Sequence, residues 1–277
     1  MTEALTLREV QNAELEILVK FDQFCTENNL HYVLYYGTLL GAARHQGFIP
    51  WDDDIDVAMP RPDYDRFLKL YYEDGKSIGD NLYVLSGERD DDFAFAYAKV
   101  ARLDSEILPE SRLYEHEGEG IWIDVFPIDG FPADEAERTA YLEKLGEYRR
   151  NIGRSITIPG TVRGKEPVWK AAARIPAVLY ARMMGYRKYR DELMKLARSY
   201  PYETSEYVGL ATWNDNSPAL VMKKSEFEKY IRMPFEGHQF PAFEDYNDFC
   251  TRRYGANYME LPPESVRQSH YIRAKLK

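Results

Sequence analysis

The chain has 277 residues, 44% hydrophobic and 30% charged, enough for one large or two small folded units. It has no apolar run near the roughly 20 residues that a membrane span needs. A net charge of −10 argues against generic nucleic-acid binding, which recruits basic surfaces. Two cysteines, Cys25 and Cys250, offer no thiolate metal cluster. Together with an N-terminus that lacks the basic-then-apolar order of a signal peptide, they predict a cytoplasmic protein.

In chain order, Thr6 and Glu9 form a capping-box pair, and Val10, Ala13, Ile17, Phe21 and Phe24 recur at helical spacing. These predict a core helix over 7–28. The apolar run Tyr32 to Tyr36 predicts a strand, followed by a small-residue turn at Gly37-Thr38 suited to the approach of a phosphate. Thr38 is expected to cap a short helix through Arg44, whose first N–H groups would face an anion.

Four carboxylates then fall in five positions, Asp52, Asp53, Asp54 and Asp56, leading into Val57-Ala58-Met59. In an extended strand Asp52, Asp54 and Asp56 would share one face. Clustered like charges beside an apolar face call for a cation, and Mg2+ or Mn2+ prefers oxygen donors. The bland reading is a solvated acidic turn.

Pro62-Asp63 opens a helix with Tyr64, Phe67, Leu68 and Tyr71 on one face, and Leu82 to Leu85 reads as a short strand. Phe93 to Val100 alternates large and small residues as a strand with unequal faces, ending near Lys99 and Arg102. Lys99 is read either as a surface lysine or as a cation beside a diphosphate. Ile121 to Phe126 is the next strand, with Asp124 beside Trp122 and Phe126; so apolar a setting asks for a metal or a basic partner. Asp129 is a candidate cap for a helix over 134–151.

Between Arg149 and Arg190 stand eleven Lys or Arg and one acid, a net of +10 that leaves −20 on the rest of the chain. On a helical wheel over 167–186, Trp169, Ala172, Ala173, Val178, Leu179, Met183 and Tyr186 gather on one side. Lys170, Arg174 and Arg182 lie on the other, and Pro176 interrupts the run. Two readings stand: a packed core helix with a basic outer face, or docking on an anionic membrane. The last segment, with Trp213-Asn214, Pro234-Phe235-Glu236-Gly237 and the basic residues Arg267, His270 and Arg273, reads as helices and loops beside the site.

A Gly-Thr turn, an Asp-x-Asp strand and a third carboxylate on a later strand resemble the DNA polymerase beta-type nucleotidyltransferase superfamily. Whole phrases are closer still. Gly37-Thr38-Leu39-Leu40-Gly41-Ala42, Arg44-His45 and Gly47 through Asp56 resemble the signature of the LicD family, and fukutin-related protein carries a similar catalytic domain. Ile123 to Gly130 resembles that family's second block. Tyr254-Gly255, Tyr258-Met259 and Leu261-Pro262-Pro263 resemble its C-terminal block.

The resemblance implies an α+β fold of the polymerase beta type, a mixed sheet flanked by helices. It implies a catalytic core over 1–150 and a mainly helical region over 151–277 packed on the core, with one continuous domain as the alternative. It implies two divalent ions, Mg2+ or Mn2+, held by Asp54 and Asp56, with Asp124 as third ligand and Asp52 as a fourth candidate. Gly37 and Thr38 would meet the donor diphosphate, with Arg44, His45 and Lys99 as added cations. The implied reaction moves phosphocholine or a similar group from a CDP-alcohol such as CDP-choline to a sugar hydroxyl. The acceptor would be a lipid-linked polysaccharide or teichoic acid precursor at the inner face of the membrane. A nucleotidyltransferase releasing pyrophosphate uses the same carboxylates and stays open. So does a catalytically dead glycan- or membrane-binding subunit, which would have lost one of them.

Overall fold

The computed structural model describes residues 4–108, 120–159, 167–213, 217, 220–267 and 273–277. The chain runs through α1 (Leu7–Glu27), β1 (Val33–Leu34), α2 (Tyr36–His45), β2 (Asp56–Pro60), α3 (Arg61–Tyr72), β3 (Leu82–Ser86), β4 (Ala98–Arg102), β5 (Ser105–Ile107), β6 (Trp122–Phe131) and α4 (Glu135–Ile156). It continues with α5 (Val168–Met184), α6 (Tyr186–Ala197), β7 (Tyr207–Gly209), β8 (Val221–Lys223), α7 (Lys224–Phe227), β9 (Tyr230–Phe235), β10 (His238–Phe243), α8 (Tyr246–Tyr254) and β11 (Ala274–Leu276).

The architecture is α+β, as expected, around a mixed sheet in the order β1-β2-β6-β4-β3, with β7 and β8 attached to the far half of β6. Strands β2 and β6 are parallel; β1, β4 and β7 pair antiparallel with their neighbours. Helix α1 starts on its capping box, with Thr6 and Glu9 exchanging hydrogen bonds, and its apolar stripe is fully buried. Phe21 of α1 meets Phe67 of α3 edge to face at 5.5 Å, so these two helices share one face of the sheet. Along β6 the alternation of side chains sends Ile123 and Val125 to one face and Trp122, Asp124 and Phe126 to the other. Phe126 meets Tyr36 and Tyr97 at 5.9 and 4.7 Å on that second face.

Helix α4 crosses position 150, and the chain beyond it also contributes strands: β7 pairs with β6, opposing Asp129 to Gly209. The residues Pro234 to Gly237, expected among helices and loops, belong to the β9–β10 hairpin, with Pro234 and Phe235 ending β9 and Glu236-Gly237 forming the turn. Glu236 and Gly237 both take positive φ there, as a tight hairpin turn requires.

Three other expectations are corrected. The strand expected over 32–36 is two residues long, because Tyr36 enters the left-handed region (φ 41°) and the chain turns into α2. The acidic run is not a strand: β2 begins at Asp56, and residues 52–55 approach it as irregular chain. Phe93 to Tyr97 is also irregular. All five residues are buried, with the aromatic rings packed against one another and Trp213, so size alternation there reflects a cluster and not two sheet faces.

Helix α5 packs by its small side. Ala171, Val178 and Ala181 are buried, whereas Trp169 and Met183 are 66% and 74% exposed, beside exposed Val168, Leu179 and Tyr180. The packed-core reading of the Trp169-Leu179-Met183 face therefore fails. Two of the basic residues are turned toward the protein, since Arg182 donates to Thr157 O at 3.2 Å and Arg174 lines a cavity, whereas Lys170 stays exposed. Arg163 and Lys165 of the basic stretch, Asn214 and His270 lie outside the described residues. Among the described residues no helix is long and apolar enough to cross a membrane.

Candidate functional site

Strand register builds the centre of the site. Asp56 on β2 is the partner of Asp124 on β6, which is the partner of Lys99 on β4. Registered partners on adjacent strands point to the same side, so two carboxylates and an ammonium form one row across the sheet. Asp56 and Lys99 are buried, and Lys99 Nζ stands 3.9 Å from Asp124 Oδ1 and 3.5 Å over the Trp122 ring. Asp124 Oδ1 is buried without a hydrogen-bond partner.

The loop before β2 brings Asp52 and Asp54 to the same place. Gln11 Nε2 on α1 donates to Asp52 O at 2.8 Å, and Asp52 N to Ile49 O at 2.9 Å. A Cβ on Gly37 would lie 2.6 Å from Asp52 Oδ2, so glycine there makes room for that carboxylate. Thr38 does not cap α2, which begins at Tyr36. Its hydroxyl accepts from Asp56 N at 2.8 Å, tying the first turn of the helix to the start of β2. Asp53 is fully buried.

Charge crowding follows from this geometry. Burial pushes the Asp56 carboxyl well above the usual range; Asp54, Asp124 and Asp52 add to the rise, and Lys99 opposes it. Asp124 is pushed up to about 6, mainly by burial, against the pull of Lys99. Glu14, 1% exposed on α1, is raised well above its ordinary value by burial and by Asp54, Asp53 and Asp52, and its Oε2 lacks a hydrogen-bond partner. Sequence reading missed Glu14, although its place between Val10, Ile17 and Phe21 on the buried stripe marks it as a carboxylate on a core face.

Beside the row opens a cavity of about 740 Å3 lined by Asp52, Asp54, Asp56 and Gly37 on one side. Arg149, Arg150 and Arg154 from α4, Arg174 from α5 and Arg253 from α8 line the rest, with the aromatic residues Tyr36, Phe95, Trp213 and Tyr254. The four arginines of α4 and α5 were legible only as part of a basic stretch, and Arg253 was not singled out by sequence. Arg44 and His45 are placed elsewhere, at the end of α2. Arg44 Nη1 donates to Tyr258 O and Glu260 O at 2.8 and 3.1 Å, and its Nε to His45 Nε2 at 3.0 Å, so Arg44 holds the C-terminal block. Burial and Arg44 lower the His45 pKa. Arg267 lies over the Trp51 ring at 5.3 Å.

Oxygen donors clustered opposite guanidinium groups in one cavity are the layout of an enzyme that handles phosphate groups. The chain belongs to the LicD family of phosphotransferases. The family model described as "LicD/FKTN/FKRP, nucleotidyltransferase domain" matches residues 29–142, which carry every carboxylate of the row. The chain is 30% identical to the lipopolysaccharide cholinephosphotransferase LicD of Haemophilus influenzae over 97% of both chains. It is also 42% identical to an uncharacterized protein of Rickettsia typhi over 24% of this chain and 23% of that one. An uncharacterized protein of Rickettsia prowazekii is 30% identical over 34% of this chain and 40% of its own length.

Proposed function

We propose that the protein transfers phosphocholine or a closely related substituted phosphate from a CDP-alcohol to a sugar hydroxyl of a surface glycan. The acceptor is of the lipopolysaccharide or teichoic acid type. The registered pair Asp56–Asp124, with its orphaned Oδ1, carries this reading, and the relative named a cholinephosphotransferase supports the choice of alcohol. Carboxylates on two adjacent strands of a mixed sheet also favour the polymerase beta-type fold.

The residues fit a divalent ion in their chemistry: all candidate donors are carboxylate oxygens, crowded enough to repel, and one buried oxygen lacks a partner. Among the described residues no group of three or more ligating side chains is closed into a ready-made metal cage, so loading would bring the carboxylates closer. Asp54, Asp56 and Asp124 would hold Mg2+ or Mn2+, with Asp52 beside them. The ion supplies charge neutralisation on the phosphate and activation of the attacking hydroxyl. Gly37 keeps the Asp52 carboxylate at the cavity wall, and Thr38 fixes the start of β2. Lys99 holds positive charge against Asp124. Trp213, 41% exposed in the wall, offers a ring face of the kind that takes a quaternary ammonium.

The test incubates the protein with CDP-choline, CDP-ethanolamine, CDP-glycerol and, separately, nucleoside triphosphates, with Mg2+ or with EDTA. Metal-dependent CMP release is expected. Pyrophosphate release from a triphosphate would instead establish the nucleotidyltransferase reading that the matched domain's description favours.

The exposed apolar stripe of α5 supports contact with the membrane that carries a lipid-linked acceptor. With Arg174 and Arg182 turned inward, such contact would rest on insertion of Trp169 and Met183 more than on charge. Co-sedimentation with vesicles should then persist at high salt and fall in a Trp169→Ser, Met183→Ser double variant. Absence of wild-type binding to anionic and neutral vesicles alike would exclude it.

A further inference from the structure

The tip of the β9–β10 hairpin is built on a residue that a tight turn does not favour. Glu236 and Gly237 are its two central residues, with φ of 49° and 79°, and a turn of this kind selects Asn, Asp or Gly. Glutamate enters the left-handed region at a cost, because its longer side chain lacks the local hydrogen bond by which Asn and Asp offset it. Its contacts reach another part of the chain instead. Glu236 N donates to Gln46 O at 2.8 Å, and Phe48 N donates to Glu236 Oε1 at 3.1 Å. A Cβ on Gly47, between them, would lie 2.3 Å from the same Oε1, so a side chain there would displace the carboxylate. The second oxygen, Oε2, accepts from Arg8 Nη2 at 2.6 Å. Arg8 Nη1 in turn reaches Gln11 Oε1 at 3.4 Å, and Gln11 Nε2 donates to Asp52 O at 2.8 Å. Both ends of the stretch 46–52 are thus tied to one residue, directly at Gln46 and Phe48 and through α1 at Asp52. Phe48 also packs on Phe235, with ring centroids 5.0 Å apart.

We propose that Glu236 is a positioning residue for the acidic loop: it fixes the course of 46–52, and with it the place where Asp52 and Asp54 meet Asp56. The need for such a brace follows from the fold. Asp52 and Asp54 sit on irregular chain outside any strand, and carboxylates crowded beside Asp56 push one another apart. That repulsion opens the loop unless its backbone is held from the other side. Groups that orient ligands from one shell out commonly change metal affinity or activity by about 10–100-fold when removed. The consequence for metal rests on the reading of these carboxylates given above; the hold on the loop does not.

The test compares the wild-type full chain with Glu236→Asn and Glu236→Gln. Asn suits the turn better than glutamate but is one carbon too short to keep the bond from Phe48 N, whereas Gln keeps an oxygen at the right length. If Glu236 served only the hairpin, the Asn variant would be at least as stable as wild type and bind metal as well. The brace predicts a different result. In EDTA, amide hydrogen exchange should speed up across 47–54 in Glu236→Asn and stay unchanged in β9 and β10. Calorimetric Mn2+ affinity should fall about tenfold or more, and the Mg2+ needed for half-maximal CMP release from CDP-choline should rise by a similar factor. Glu236→Gln should stay within about threefold of wild type on both measures. Unchanged exchange over 47–54 or an unchanged metal requirement in the Asn variant overturns the proposal, as does a Gln variant no better than Asn. If the wild-type protein binds no Mn2+ and releases no CMP, the metal and transfer reading fails instead. The exchange rates in EDTA then decide by themselves whether Glu236 holds the loop: faster exchange upholds the brace and unchanged exchange refutes it.

Discussion

Strand β6 carries two carboxylates five residues apart, Asp124 and Asp129, each with a cation nearby, and their surroundings differ in kind. Asp129, on the face shared with α3, is clamped by Arg61, whose Nε and Nη2 donate to its two oxygens at 2.6 and 2.9 Å; Glu88 takes a further guanidinium N–H at 3.1 Å. Both oxygens of that carboxylate are satisfied. Asp124, on the cavity face, has Lys99 at 3.9 Å, beyond hydrogen-bond reach, with Nζ drawn over the Trp122 ring and Oδ1 left without a partner. The first arrangement is a finished ion pair that holds α3 to the sheet. The second keeps a charge nearby but leaves lone pairs open, which is what a site for an incoming ion or substrate needs. The difference teaches that burial and a nearby cation are common to a finished ion pair and to a carboxylate with open hydrogen-bonding capacity, so only the hydrogen bonds tell the two apart.

Exchanging the two roles should break the comparison most visibly at Asp124. Asp124→Asn should lower kcat for CMP release by at least about 100-fold, because the isosteric amide cannot neutralise a divalent ion. The metal-free protein should melt no lower than wild type, since a crowded charge has been removed. Near-normal turnover would remove Asp124 from the site. Asp129→Ala should do the reverse. Leaving Arg61 buried without its partner should cost about 3–5 kcal/mol in urea unfolding, with kcat of the folded fraction close to wild type. A stable variant with lost activity would mean that the Arg61 pair belongs to the chemistry.

The contrast also has a pH signature. Asp124 folded sits at about 6, above its ordinary 3.8, so the folded state holds this proton more tightly than the unfolded chain. In EDTA its contribution should therefore be fully present below about pH 4 and be lost as pH rises through 6, by up to about 3 kcal/mol. Thermal melts across that window would show the loss, and Asp124→Asn should flatten it; an unchanged slope would contradict the placement of Asp124. The smallest effect is expected at Thr38→Val. Removing the acceptor for Asp56 N should cost about 1–3 kcal/mol of stability and weaken metal binding only through the looser start of β2. Denaturant titration with and without Mg2+ separates the two.

What the sequence alone determined lies within short reach along the chain. Helix α1 could be read from its capping box and stripe, α3 from its proline and aromatic face, and β6 from its apolar run, because such patterns reflect contacts within a turn or two. The acidic run and Asp124 could be singled out because carboxylates in apolar surroundings demand compensation, and the family phrases added their order. Tertiary structure decided which compensation each received. Asp129 looked like a helix cap and is an ion-paired strand residue, whereas Asp134 caps α4 by accepting from Glu137 N at 2.9 Å. Thr38 looked like a cap and instead holds β2. The register that sets Lys99 beside Asp124, and the meeting of α4, α5 and α8 that turns a basic stretch into a cavity wall, join residues far apart in sequence. On α5 the apolar stripe and the basic stripe were both visible, but which of them faces the protein depends on what α4 offers to pack against. Periodicity separates the two sides of a helix; the partner helix selects the buried one, and here small residues and inward-turned arginines won over the larger apolar face.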